Sequence, residues 1–170
     1  MKIPISVIKS GEYDCETIYL AYYLKSFTYD GANYVVTCLN WIANNLRLNP
    51  YRNGVDDIIE TLMKMREDNI ITISGRLDRE DIERLEIRLL NHKIFDDSGE
   101  CINPFSPMTF AGARYKEEER ISLHMQALHY VVKSALKVTS DIYDIYDMVK
   151  RLDGGKSSDS VILETIMDEF

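Results

Sequence analysis

The dipeptide Asn49-Pro50 separates two stretches of helical apolar spacing, so this part of the chain must fold as a helix, a turn and a second helix. Leu39, Ile42, Ala43 and Leu46 recur at the 3.6-residue period before the break, and Val55, Ile58, Ile59, Leu62, Met63 and Met65 recur after it. Asn49-Pro50-Tyr51-Arg52-Asn53-Gly54 forms the turn between them. Trp41 lies within the first apolar run and is expected to pack in the core or half-buried. The second helix should close at Asp68-Asn69, its apolar stripe facing the preceding helices and Asp56, Asp57, Glu60, Lys64 and Glu67 facing outward. Ile70-Ile71-Thr72-Ile73 then has the composition of a strand, and Ser74-Gly75-Arg76 that of a turn.

Upstream, Ile3 to Ile8 reads as a short extended lead, and Asp14 is placed to cap a helix running to about Phe27. Tyr34-Val35-Val36-Thr37 is a brief strand. The order is therefore helix, short strand, helix, turn, helix, strand. Downstream, Asp78 and Asp81 favour a helix carrying Ile82, Leu85, Leu89 and Leu90, while Leu85-Glu86-Ile87-Arg88-Leu89 also alternates as a strand would. If it is a strand, it is the returning limb of a hairpin. Residues 96–112 read as a loop, residues 115–138 as a long helix, and Asp141 to Leu152 as a further helical stretch. Asp153 to Ser158 is a linker before a short acidic amphipathic helix or frayed tail.

These readings give a mainly α chain with a small β component. It divides into an N-terminal unit at 1–76, an acidic connecting segment at 77–112, a helical oligomerisation or packing region at 113–153, and a tail at 154–170. The length of 170 residues allows one core with a helical extension. No stretch approaches the apolar length needed to span a bilayer and the first residues lack a signal peptide, which makes the cytoplasm the expected location and a membrane an unexpected partner. Cys15, Cys38 and Cys101 are odd in number and widely spaced, as expected of buried or incidental thiols. The net charge of −8 argues against coating nucleic acid through charge alone. The acidity is uneven: residues 77–111 carry −4 and 154–170 carry −3, whereas residues 38–76 are neutral.

Residues 13–73, through Glu12-Tyr13-Asp14, the run Leu39-Asn40-Trp41-Ile42-Ala43-Asn44-Asn45-Leu46 and the closing run Ile58 to Ile71, resemble the winged helix-turn-helix domains of bacterial plasmid and phage replication-initiation or replisome-organiser proteins. More loosely they resemble winged-helix transcriptional regulators. The resemblance implies a noncatalytic protein that binds duplex DNA sequence-specifically in replication initiation, plasmid or phage maintenance, or transcriptional regulation. It places Arg52 and Asn53 at the start of the groove-reading helix, Thr61 and Lys64 further along it, Arg76 on the wing, and Arg47 before the turn. A homodimer would join two such modules on adjacent half-sites, and the C-terminal helices would supply the dimer contact or recruit a replication or regulatory protein. The alternative is a protein-interaction adaptor that keeps the winged-helix fold without affinity for DNA. Its docking surfaces would be the apolar face of residues 115–152 and the acidic segment 77–100.

Other chemistry has little support. His124 and His129 are five apart, His92 stands alone, and no phosphate-cradling glycine loop, zinc-binding His pair or nucleophile elbow is present. Asp141, Asp144 and Asp147 form a ladder that Lys137, Lys150 and Arg151 balance as a solvated face. No enzyme activity, cofactor or metal is therefore expected. Tyr13, Tyr19, Tyr22, Tyr23, Tyr29 and Tyr34 concentrate around the first helix, where an oligomer interface is one way to cover them.

Overall fold

The computed structural model describes residues 1–28, 31–46, 54–77, 84–95, 99–104 and 117–170, with the backbone alone for 117–121 and 123. It is mainly α with a small β component. The elements are β1 (Ile3–Pro4), α1 (Ile5–Ser10), α2 (Cys15–Ser26), β2 (Tyr34–Thr37), α3 (Leu39–Asn45), α4 (Gly54–Glu67), β3 (Ile71–Ser74), β4 (Leu85–Leu89), β5 (Cys101–Ile102), α5 (Glu117–Leu136), α6 (Ile142–Asp153) and α7 (Asp159–Glu169).

Asp14 caps α2 by accepting a hydrogen bond from the Thr17 backbone N–H at 2.9 Å. Apart from Glu16, every residue from Cys15 to Leu24 is buried. A helix apolar on all sides needs cover on all sides. Here α4 and α6 both pack on α2, as does the short 3₁₀ turn at Lys93–Phe95. Tyr22 donates from its buried hydroxyl to the Ile94 carbonyl at 2.6 Å. Tyr19, Tyr22 and Tyr23 are thereby enclosed within the chain, so no oligomer interface is needed to cover these three.

Three antiparallel strands form the main sheet in the order β2-β4-β3. Val35 and Ile73 both pair with Ile87, while Ile71 pairs with Leu89. The alternation of β4 sends Leu85, Ile87 and Leu89 into the core and leaves Glu86 and Arg88 on the other face. The helix favoured over residues 78–91 is thus replaced at Leu85–Leu89 by the returning strand. Two flanking partners satisfy its backbone on both edges, and tertiary pairing outweighs the local helical signal. Residues 78–83 lie outside the described residues.

The extended lead expected at residues 3–8 also requires correction. Only Ile3–Pro4 is strand, paired with β5, and Ile5–Ser10 is helical. Burial of Val7 and Ile8 and the left-handed Gly11 that ends the helix override the extended tendency of the β-branched residues. The C-terminal stretch is no frayed tail: α5, α6 and α7 pack on one another, and Ile162, Thr165 and Ile166 of α7 are buried. α6 also packs on α1, and one hydrophobic core runs through both halves of the chain.

Trp41 departs from expectation because it is 57% exposed, on the outer side of α3 whose inner side buries Leu39, Ile42 and Ala43. It is the chain's sole tryptophan, so its fluorescence reports this position alone. Acrylamide should quench native emission almost as efficiently as it quenches the unfolded chain. Strong protection from quenching in the native state would place the indole in the core instead.

Candidate nucleic-acid interface

The residues that sequence singled out for DNA are distributed around α4 and the hairpin that follows it. Arg47, Arg52 and Asn53 lie outside the described residues. Thr61 points into the core at 6% exposure, because the buried stripe of α4 runs through Gly54, Asp57, Ile58, Thr61, Leu62 and Met65. Its side chain is not presented for a base contact. The stripe is rotated from the one expected: Asp57 is buried and Met63 is exposed.

Lys64 is exposed and forms an ion pair with Asp14, the residue that caps α2. This pairing ties the two helices together and raises the Lys64 pKa, chiefly through the hydrogen bond to Asp14. Burial would raise the Asp14 pKa, but the bonds from Lys64 and Thr17 outweigh it and hold the carboxyl below its ordinary value. The remaining outward face of α4 carries Asp56, Glu60 and Glu67 beside Arg66.

Arg76 stands at the surface where the chain leaves β3. The preceding Gly75 has φ +121°, and a Cβ there would lie 2.8 Å from the Arg84 carbonyl oxygen. Only glycine permits both that backbone conformation and that approach. The hairpin therefore brings Arg84, also exposed, alongside Arg76 just beyond the Ser74–Glu86 end of the ladder. Sequence reasoning missed Arg84 because its position depends on β4 being a strand. On the outer face of the sheet, the Arg88 guanidinium lies 5.2 Å from the Tyr34 ring centroid and 2.9 Å from Glu86 Oε1.

A second polar cluster was absent from the sequence reading. His124 Nε2 is 2.9 Å from Ser157 Oγ and 3.4 Å from Asp153 Oδ1, while Ser157 Oγ donates to Asp153 Oδ1 at 2.8 Å. Serine and carboxylate meet the same imidazole nitrogen, whereas in a catalytic triad they occupy opposite nitrogens. The Ser157 backbone N–H also donates to Asp153 Oδ2 at 2.7 Å, so the carboxylate acts as a clamp on the α6–α7 turn. Next to it, Lys156 Nζ donates to Glu16 Oε1 at 2.9 Å and to Cys15 Sγ at 3.2 Å, fastening that turn to the start of α2. Burial pushes the Cys15 thiol up to about 12, which keeps it protonated at neutral pH and able to donate to Glu16.

Among the described residues, no group of three or more His, Cys, Asp or Glu side chains is arranged to hold a metal ion. Among them, too, no helix is long and apolar enough to cross a membrane. No protein-family model, curated protein or solved structure matches this chain.

Proposed function

We propose that the N-terminal part of this chain is a winged helix-turn-helix module that binds duplex DNA sequence-specifically and without catalysis. Its role would lie in replication initiation, plasmid or phage maintenance, or transcriptional regulation. The observation that carries this reading is the succession α2, β2, α3, α4, β3, β4 with β4 lying between β2 and β3. In such a module α4 is the helix offered to the major groove and the β3–β4 hairpin is the wing. Arg52 and Asn53, just before α4, would meet base edges. Arg76 and Arg84, at the turn end of the hairpin, would meet phosphates, with Arg47 a further backbone contact. Lys64 serves α2 through Asp14 and is assigned no base contact. Two modules in a homodimer would add the phosphate contacts that one module lacks.

The second reading, a winged-helix adaptor for another protein without DNA affinity, is favoured by the acidic outward face of α4. Titrating the protein into a randomised duplex pool and sequencing the bound fraction separates the two. The DNA reading expects saturable binding and a recovered motif. Replacing both Arg76 and Arg84 with alanine should weaken binding to all sequences alike and reduce the log–log salt slope by about 1 for each phosphate left without its arginine. No binding at micromolar protein, or binding without a motif, favours the adaptor.

A further inference from the structure

The last two helices leave an apolar face uncovered. On α7, Leu163, Met167 and Phe170 are 44%, 63% and 60% exposed. Their spacing of four and three residues puts them in one stripe, which adjoins the side that buries Ile162, Thr165 and Ile166. α6 runs antiparallel alongside, with its register fixed at one end by the Lys150–Asp159 ion pair at 3.3 Å and by a hydrogen bond between Tyr146 and Asp159. From that end, the N-terminal turn of α6 falls beside the C-terminal half of α7. There Tyr143 is 85% exposed and Ile142 40%. Five large apolar side chains thus stand exposed on two helices packed side by side, along whose seam a shallow groove runs, more than the scattered apolar residues of an ordinary surface.

The charge beside this groove restricts what can fill it. Glu164 and Asp168, one helical turn apart and exposed, form an acidic row directly along the apolar stripe. On the other flank, Asp159 is already engaged by Lys150. A second copy docked antiparallel through α7 would set the Glu164/Asp168 row against itself, since like flanks meet in an antiparallel two-fold pair. A helix with Lys or Arg beside its own apolar stripe would bury the same surface and neutralise the row.

We propose that the α6–α7 groove docks a basic amphipathic helix of another protein. The apolar stripe supplies the contact area and Glu164 and Asp168 set its sign. This face lies outside the DNA-reading module and stands whether or not that module binds DNA.

The test uses the full chain and two synthetic helical peptides with leucines at i, i+3, i+4 and i+7, one with lysines flanking the stripe and one with glutamates there. Fluorescence anisotropy should show the lysine peptide binding about tenfold or more tighter than its counterpart. Replacing Met167 and Phe170 together with serine should weaken it by about tenfold or more. Both side chains are exposed, so circular dichroism of the variant should be unchanged. Glu164→Lys with Asp168→Lys should invert the peptide preference. Equal binding of both peptides, no binding, or serine variants that bind undiminished would overturn the proposal. So would a dimer detected by light scattering that the serine variants dissolve.

Discussion

Gly154→Ala is expected to lower folding stability by about 2–4 kcal/mol, combining a left-handed backbone cost with overpacking of a closed site. Gly154 has φ +65° at the end of α6, and a Cβ there would sit 2.3 Å from Cys15 Sγ and 3.5 Å from Cys15 Cβ. Cys15 is buried at 2% exposure, so moving its sulfur aside would displace core neighbours. Cys15→Ala alone should destabilise the protein by removing a buried sulfur, but in the Gly154→Ala background it should stabilise it by relieving the overlap. Urea unfolding of the four chains reads this reversal as a double-mutant cycle. Additive effects would show that α2 and the α6–α7 turn do not press together as described.

Asp153→Ala is expected to cost about 2–4 kcal/mol, because it leaves the Ser157 backbone N–H and hydroxyl and the His124 imidazole without their buried partner. Burial by itself would raise the Asp153 pKa; the hydrogen bonds from His124 and Ser157 more than offset it and depress the folded value. A depressed folded pKa means that stabilisation is complete above the unfolded value of about 4 and disappears as pH falls through the folded value. Wild type should therefore lose stability relative to Asp153→Ala as pH falls from about 4 downward. Urea midpoints across that range measure it. A gap that stays unchanged to the lowest accessible pH would show that the carboxylate does not clamp the turn.

The sequence revealed most elements whose signals are local. Asp14 caps α2 as expected, α3 and α4 fall on either side of Asn49-Pro50, and Leu39, Ile42, Ala43 and Leu46 before it and Ile58, Leu62 and Met65 after it are buried. What it concealed depends on distant partners. Leu85–Leu89 has both helical and strand character, and only pairing with β2 and β3 decides between them. The rotation of α4 that buries Asp57 and Thr61 while exposing Met63 is likewise set by packing against α2 and α3. An apolar pattern identifies a face only to within a side chain or so, which put Thr61 on the DNA-facing side of α4 and Trp41 in the core or half-buried. Arg84 became a candidate only once the hairpin was visible. The clamp built from His124, Asp153 and Ser157 draws on α5, α6 and the following turn, and nothing in the spacing of one histidine announces it.

The most direct test of the DNA-binding account is anisotropy titration of wild type, Arg52→Ala and Arg76→Ala against the duplex recovered from the pool and a scrambled duplex, over a range of salt. The account predicts that Arg52→Ala loses about 1–3 kcal/mol on the recovered duplex alone and so relaxes specificity, whereas Arg76→Ala weakens binding to both and flattens the salt dependence by about 1. Undiminished binding by both variants, or equal affinity of wild type for the two duplexes, would contradict it.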